Sequence, residues 1–329
     1  NKVTWAKMAS SKVTTLCTVF LIFNCTHVSA KIVASFIMPH GGIALDPRHF
    51  NTTNATAKKE AWEIHNACVK VGQQMQQLKP DLIFLSTPHG VADLSNFLFY
   101  LNPQGQGHAD TDNCQCPPCC YSVSVNLDTK MSADLVKTLG LAKNVSGLSA
   151  YGPPEQSSEP FPLKWGEVIP LHFIPGLNDT KAIILSQPSR RYTDDVAMIP
   201  ELLQLGWNLF EMLDSASQRI VVIISADLAH THQASGPYGY SNASEPFDMA
   251  CGRWATTLDK STLTVTAAGY ADRALSCGFT GFVMLHGMLE RAAQGTAEWV
   301  STLLANHHPS YYGMMVASFV RQTFEVYSD

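Results

Sequence analysis

Three histidines have neighbours and positions that suit metal and proton chemistry. His40 and His89 each lie between a proline and a glycine, and His230 ends the tetrapeptide Asp-Leu-Ala-His. Imidazole nitrogens bind iron, zinc and copper, and a histidine exchanges protons near neutral pH because its ordinary pKa is about 6.5. The pattern therefore predicts a metal ion held by His40 and His89, with His230 beside it as the acid/base group. Two histidines alone bind an ion weakly, so a third ligand is expected.

The elements that must bring these histidines together are short apolar runs rich in β-branched residues. Such runs predict buried strands at Lys31–Met38, Asp81–Ser86, Tyr121–Leu127, Lys181–Leu185, Arg219–Ser225 and Gly313–Val320. Helical spacing of apolar residues predicts helices over Ala57–Leu78, Pro200–Leu213, Phe247–Leu258 and Gly281–Ala292. Strands that alternate with helices favour a three-layer α/β sandwich, with a mostly parallel central sheet and helices on both faces.

Each of the three histidines comes just after one of these predicted strands. In an open parallel sheet, the loops at the carboxyl ends of the strands meet and form the active site. We therefore expect His40, His89 and His230 to reach one site, although they are far apart in the sequence. The segment Gln104–Pro118 lacks such an apolar run and is predicted to be a long loop held by cysteines.

Residues 1–30 have the layout of a secretory signal peptide that begins at Met8. A basic residue precedes an apolar stretch from about Leu16 to Phe23, and small residues suited to cleavage end at Ala30. This stretch is short for a membrane helix, which needs about 20 apolar residues, and an uncleaved anchor is the alternative. We predict a leader over residues 1–30 and one α/β domain over residues 31–329.

Glycosylation sequons and cysteines also indicate the secretory pathway. N-x-[ST] sequons begin at Asn51, Asn54, Asn144, Asn178 and Asn242. Seven cysteines follow the leader, and those of Cys114–Cys120 are predicted to form disulfides, since a structural zinc site needs a second cysteine or histidine pair. We expect a secreted or lumenal glycoprotein that is not attached to a membrane after cleavage. The net charge of −5 provides no basic field for nucleic acid.

Four segments resemble, in their order, the blocks of the class III extradiol dioxygenase superfamily, which includes the protocatechuate 4,5-dioxygenase catalytic subunit and the Memo proteins. They are PHGGIALDP, PDLIFLSTPHG, ISADLAHTHQASGPYGY with the following EPFD, and CGFTGFVMLHGML. The resemblance extends from about residue 32 to 292. It implies a mononuclear non-haem Fe(II) centre bound by His40 and His89, with His230 as the acid/base residue. It also implies a catechol-like aromatic diol and O2 as substrates, and it leaves a homo-oligomer open.

The sequence departs from the ring-cleaving members in two blocks. The segment Ala274–Gly278 has no carboxylate where these members commonly have a glutamate. Cys277 is the substitute suggested by the Memo proteins, and a thiolate favours zinc or copper(I) more than a carboxylate does. The alternative for Cys277 is a disulfide with Cys68 or Cys251. The triplet Lys164-Trp165-Gly166 also lacks the histidine of the usual Asp-His-Gly, which weakens the prediction of catechol cleavage.

The remaining polar residues near these motifs are given supporting roles. Asp227 is expected either to orient the loop of His230 or to have an ordinary capping role. His232 is expected to act at most through contacts with residues of the site, while His172 faces elsewhere and His286 packs within a helix. Three hypotheses follow: an Fe(II)-dependent extradiol-type oxygenase, a Memo-like copper- or iron-binding protein without ring-cleaving activity, and a zinc-dependent hydrolase. The first is favoured, and the hydrolase ranks last.

Overall fold

A computed structural model of the protein describes residues 32–140, 144–153, 159–295 and 298–322, and the predicted leader lies outside these ranges. The strands are β1 (Ile32–Met38), β2 (Leu82–Thr87), β3 (Phe97–Tyr100), β4 (Gln104–Ala109), β5 (Tyr121–Leu127), β6 (Val145–Leu148), β7 (Phe161–Leu163), β8 (Lys181–Ser186), β9 (Ile220–Ser225), β10 (Glu298–His307) and β11 (Met314–Gln322). The α-helices are α1 (Gly42–Leu45), α2 (Ala55–Leu78), α3 (Thr129–Leu139), α4 (Trp165–His172), α5 (Arg191–Asp194), α6 (Ile199–Asp214), α7 (Ser244–Thr257), α8 (Ala268–Ala274) and α9 (Phe279–Gln294).

The described strands form one mixed sheet in the order β10-β11-β1-β9-β2-β8-β5-β4-β7, with β3 paired to β8 and β6. Its centre, β1-β9-β2-β8, is parallel, and β5 joins β8 in the same direction. Strands β11 and β10 extend one edge in antiparallel fashion. The predicted α/β class with a mostly parallel sheet is therefore confirmed.

Apolar residues of the central strands alternate between two cores, one on each face of the sheet. In β9, Val222 and Ile224 belong to the core covered by α6, α7 and α9. Val221 and Ile223 belong to the core covered by α2 and α4. Because both faces are buried, these strands are continuous apolar runs rather than alternating ones. The predicted helices on both faces of the sheet are confirmed as well.

The prediction of a loop over Gln104–Pro118 is wrong for its first part. Gln104–Ala109 is strand β4, which pairs with β5 on one side and β7 on the other. Gly105 and Gly107 lie against Leu163, where a Cβ would meet the leucine side chain or its carbonyl. The buried residues of this strand are Gly105 and Ala109 rather than β-branched residues, so it has no apolar pattern for a sequence-based prediction to detect.

Among the described residues, the paired cysteines all lie within the cysteine-rich segment. The structure joins Cys114 to Cys119 and Cys116 to Cys120, in agreement with the prediction of disulfides there. Cys68, Cys251 and Cys277 are free and buried. The disulfide alternative for Cys277 is therefore absent from the described structure. Among the helices of the described ranges, none has both the length and the apolar character needed to traverse a bilayer.

Glycines allow α6 and α9 to pack with their backbones in close contact. A Cβ at Gly206 would meet the carbonyl oxygen of Met284, and a Cβ at Gly287 would meet the backbone of Leu203. We expect Gly206→Ala to lower the free energy of unfolding by about 1–3 kcal/mol, because the two helices must separate. Urea denaturation checks this value.

Gly269 in α8 provides the matched control, because a Cβ there meets nothing within 4 Å. Gly269→Ala is expected to leave stability unchanged or to raise it by up to about 1 kcal/mol, since alanine is the better helix former. Equal destabilisation by both variants would contradict the packing argument.

Candidate metal centre

Three neighbouring parallel strands carry the predicted histidines to one edge of the sheet. Strand β9 lies between β1 and β2, and Met38 is in register with Ser225. His40 and His89 each lie two residues beyond the end of their strand, and His230 lies five residues beyond β9. Parallel strands place their carboxyl ends at the same edge, which explains why residues so distant in sequence meet.

The side chains of His40, His89 and Cys277 converge. One ligand atom from each lies within 4.8 Å of the other two. One of these separations joins His40 Nε2 to Cys277 Sγ, at 3.2 Å. The rings of His40 and His89 are perpendicular, with centroids 4.7 Å apart. Ligands 2.0–2.3 Å from one ion are separated by up to about 4.5 Å, so this arrangement needs little adjustment to hold a metal.

Hydrogen bonds fix the ring of His40 with its electron pair toward this cluster. The Ser225 hydroxyl donates its single proton to the carbonyl oxygen of Gly166, at 2.5 Å. Ser225 Oγ also lies 2.9 Å from His40 Nδ1 and must accept there, so Nδ1 carries the ring proton. The Nε2 atom of neutral His40 is therefore unprotonated. Metal-bound histidines are commonly oriented in this way by a partner on the other ring nitrogen.

Asp227 lies beside His40 and holds the loops of the site together. Its Oδ1 accepts a hydrogen bond from the backbone N–H of His40, and its Oδ2 lies 3.3 Å from His40 Nε2. Its carbonyl oxygen accepts from Gly278 N and Ser276 Oγ, which fixes Cys277 between them. The contact role predicted for Asp227 has a clear geometric basis. When it is deprotonated, the carboxylate of Asp227 adds negative charge beside His40.

The electrostatics of the cluster favour a bound cation. Burial lowers the pKa of His40 and lowers that of His89 to about 3, so both imidazoles are neutral at pH 7. Burial also raises the pKa of the Cys277 thiol and raises that of Asp227 to about 8. A metal ion beside these groups would favour their deprotonated forms and would compensate their buried charge. The donor set therefore fits a divalent transition metal.

His230 lies beside the cluster of His40, His89 and Cys277, with one ring nitrogen unprotonated. Its Nδ1 lies 2.9 Å from the carbonyl oxygen of Leu228, so Nδ1–H donates and Nε2 holds the electron pair. Its backbone N–H donates to the carbonyl oxygen of Ala274. Burial lowers the pKa of His230 to about 4, which leaves Nε2 free to accept a proton. A ring nitrogen of His230 lies within 4.8 Å of ligand atoms of Asp227 and Cys277.

His232 is turned away from the cluster. Its Nε2 lies 2.8 Å from Asp248 Oδ2, and its ring stacks on His308. Asp248 Oδ1 accepts from the backbone N–H of Ala229, so the pair supports the segment that precedes His230. His232 therefore contacts Asp248 and His308, and its limited role in the site stays a prediction.

The two other histidines given no part in the site also lie outside it. His172 packs against Tyr121 and Phe173. His286 accepts a hydrogen bond from the indole N–H of Trp254 within the helical core.

Two cavities border the cluster. The first, which we call the tyrosine cavity, has a volume of about 260 Å³, and its lining includes Asp112, Trp165, Tyr238, Tyr311 and Tyr312 together with the three histidines. The second, the arginine cavity, has a volume of about 400 Å³, and its lining includes Arg191, Tyr192, Asp195, Asp272 and Cys277. His89 and His230 line both cavities. A cavity of about 150 Å³ holds a benzene ring, so either space accommodates one substituted ring.

Trp165 occupies the block in which a histidine was expected. Its ring lies over His89, with centroids 5.1 Å apart, and it lines the tyrosine cavity. The departure from Asp-His-Gly therefore replaces a polar contact by an aromatic surface. Aromatic side chains bind planar rings by stacking and edge contacts. The sequence marks Trp165 only as the residue that stands in place of a histidine. Its position in the wall of the cavity follows from the structure.

Comparison of the sequence with known protein families shows the class of this chain. The family described as the catalytic LigB subunit of aromatic ring-opening dioxygenase matches residues 36–317, and the chain belongs to this family. No curated protein matches the sequence. Among solved structures, the uncharacterized protein JW3007 from Escherichia coli K12 is similar, with a TM-score of 0.50 and 12% identity over 87% of this chain and 99% of that one. At this identity the likeness concerns the fold alone.

Proposed function

We propose that the protein is a non-haem Fe(II) oxygenase that opens the ring of a catechol-like aromatic diol with O2. The observation that carries the proposal is the convergence of His40, His89 and Cys277 beside the unprotonated Nε2 of His230. Membership of the ring-opening dioxygenase family supports the reaction class. The aromatic lining of the tyrosine cavity supports a planar, aromatic substrate.

The residues present fit a metal ion, and His40, His89 and Cys277 would hold it. When bound, iron would supply a Lewis acid for the diol oxygens and a redox partner for O2. Asp227 accepts the backbone N–H of His40 and keeps this ligand in place. Ser225 keeps the proton of His40 on Nδ1, away from the ion.

His230 is the proton acceptor for a substrate hydroxyl. Its Nε2 carries the electron pair, and the Leu228 carbonyl keeps the ring from rotating because it can only accept. Burial favours the neutral imidazole, so the base is ready at neutral pH. Trp165 and Tyr312 lie on the walls of the cavity, where they would position the aromatic ring and exclude water.

Oxygen consumption tests the reaction. Protein loaded with Fe(II) under argon is mixed with air-saturated buffer and a panel of catechol, 4-methylcatechol, 3,4-dihydroxybenzoate and 3,4-dihydroxybenzamide. We expect one O2 consumed per diol, with loss of the aromatic absorbance. Metal-free protein is the control. Iron bound at one ion per chain without oxygen uptake for any diol would contradict ring cleavage.

A second candidate is a Memo-like protein that binds copper or iron without cleaving rings. The observation that favours it is the free Cys277 thiol 3.2 Å from His40 Nε2, because a soft sulfur ligand suits copper(I) or zinc. Competition among Fe(II), Zn(II) and Cu(I) under argon separates the candidates. The Memo-like function predicts retention of copper together with no oxygen uptake by the iron form.

We also propose that the protein is a lumenal or secreted glycoprotein. The asparagines of all five sequons are exposed, as an acceptor site requires. The prediction is that protein made in a eukaryotic secretory host migrates faster after removal of N-linked glycans. Unchanged migration, together with retention of residues 8–30 in the purified chain, would contradict this localisation.

A further inference from the structure

Two histidines and two carboxylates form a second cluster, which we call the α7 cluster: His232, Glu245, Asp248 and His308. One ligand atom from each of His232, Glu245 and His308 lies within 4.8 Å of the other two. His308 Nε2 lies 3.1 Å from Glu245 Oε2. His232 Nε2 lies 2.8 Å from Asp248 Oδ2. Neighbouring ligands of a tetrahedral zinc ion are about 3.3 Å apart, since each is about 2.0–2.1 Å from the metal. The spacing of the α7 cluster therefore suits a zinc ion.

Three segments of the chain meet in the α7 cluster, at some distance along the chain from one another. His232 lies in the loop after β9, and His308 lies in the connection between β10 and β11. Glu245 and Asp248 are three residues apart in α7 and therefore share one face of this helix. None of the four lines the tyrosine cavity or the arginine cavity. The proposed ring-opening reaction leaves the α7 cluster without a role.

The charges of the α7 cluster favour a bound cation. The rings of His232 and His308 are parallel, with centroids 4.0 Å apart, so two imidazolium rings would repel each other here. With at least one ring neutral and both carboxylates ionised, the cluster has a net negative charge. Burial raises the pKa of Asp248, while its contact with His232 and the charge of His308 lower it. A divalent cation would compensate both carboxylates and bind neutral imidazoles.

One half of the α7 cluster is fixed and the other half is accessible from solvent. The side chains of His232 and Asp248 are each 5% exposed, and Asp248 Oδ1 also accepts a hydrogen bond from the backbone N–H of Ala229. The side chains of His308 and Glu245 are 44% and 61% exposed, so an ion reaches them directly. Because the two rings are parallel, one must turn before both face the same ion. His308 is exposed enough to do so.

We propose that the α7 cluster is a second divalent-cation site, of the kind that binds zinc, with His232, Glu245 and His308 as ligands. Asp248 would hold His232 in place and add negative charge, as carboxylates beside metal-bound histidines commonly do. A water molecule would complete a tetrahedral shell around the ion. The inference does not depend on the proposed oxygenase function, because the two metal sites share no ligand.

An ion in the α7 cluster would connect three segments that lie around His230. His232 is two residues from His230, and the connection that contains His308 also contains Tyr311 and Tyr312. The rings of Tyr311 and Tyr312 lie beside that of His230, with centroids 6.2 Å and 5.9 Å from it. Zinc would therefore stabilise the wall of the tyrosine cavity from outside. Since zinc would bind the folded chain, it should raise the melting temperature.

Zinc binding by the untagged, metal-depleted protein tests the site. Bound zinc is counted per chain by elemental analysis, and the affinity is measured by competition with a chelator. We expect two zinc ions in the wild type, one at His40, His89 and Cys277 and the other in the α7 cluster. His308→Ala should weaken the second ion by at least about 100-fold, because the loss of a supporting residue alone costs about 10–100-fold.

The adjacent histidine gives the matched control. His307 Nε2 lies 3.2 Å from Glu63 Oε2, outside the α7 cluster, so His307→Ala should bind zinc as the wild type does. His40→Ala should retain one ion, and the double variant with His308→Ala should bind none. Melting temperatures without metal show that each variant is folded. Equal zinc binding by the wild type and His308→Ala would overturn the proposal.

Cobalt(II) keeps the two metal sites apart. A thiolate ligand gives cobalt(II) an intense charge-transfer absorption in the near ultraviolet, and the α7 cluster contains no sulfur. His40→Ala should therefore bind one cobalt ion without this absorption. An ion retained in His40→Ala and lost on adding His308→Ala supports the second site, even if the first site fails. No ion bound by His40→Ala would overturn the second site.

Discussion

His40→Ala is expected to lose stoichiometric iron binding, with an affinity at least about 100-fold below that of the wild type. Removal of a residue that merely contacts a metal ligand costs about 10–100-fold in affinity, so removal of a ligand should cost more. His40 contacts two other groups of the cluster, since its Nε2 lies 3.2 Å from Cys277 Sγ and 3.3 Å from Asp227 Oδ2. Oxygen uptake should fall to the level of the metal-free protein.

Anaerobic titration with Fe(II) against a competing chelator measures this affinity. His172→Ala is the matched control, because His172 packs against Tyr121 outside the cluster and its loss should leave iron binding unchanged. A melting temperature close to that of the metal-free wild type shows that the His40 variant is folded. Iron bound by His40→Ala at wild-type affinity would mean that the ion is held elsewhere.

His230→Gln is expected to lower the turnover number by about 10²–10⁴-fold, the usual contribution of a general base. Glutamine has a similar size and is able to hydrogen-bond to the Leu228 carbonyl, but it cannot take up a proton. Iron content and diol affinity should change little, because His40, His89 and Cys277 are intact. Single-turnover kinetics with iron-loaded protein, followed at several pH values, measure the effect.

His232→Gln distinguishes a chemical role of His230 from a structural role of its loop. His232 is two residues away but pairs with Asp248, so its loss should disturb the loop without removing the base. We expect its turnover to fall by less than about 10-fold, a smaller loss than general-base removal produces. Equal losses in the two variants would contradict the assignment of His230 as the proton acceptor.

The positions of the three strand-end histidines could be predicted from the sequence because they depend only on the strand that directly precedes each histidine. A continuous apolar run is needed for a strand buried on both faces, and the residue just beyond such a strand must lie at the sheet edge. His40, His89 and His230 follow from these two rules. The role of Cys277 came instead from the resemblance to Memo proteins, since a cysteine before a helix has no pattern of its own.

Other parts of the site depend on contacts that no sequence pattern records. Arg191, Tyr311 and Tyr312 reach the cavities from loops and a four-residue helix, so neither hydrophobic period nor spacing marks them. The Ser225 hydroxyl looks like an ordinary strand residue, and only its distances to Gly166 and His40 reveal that it sets the tautomer. Strand β4 was missed because its buried residues are a glycine and an alanine.

X-ray absorption spectroscopy of the iron-loaded protein, compared with Cys277→Ser, tests the proposed ion most directly. In the wild type we expect scattering from two histidine imidazoles and from one sulfur. In the variant the sulfur contribution should be lost and both imidazoles should be retained. A coordination shell without imidazole scattering, or one in which sulfur persists after the substitution, would show that the ion does not lie between His40, His89 and Cys277.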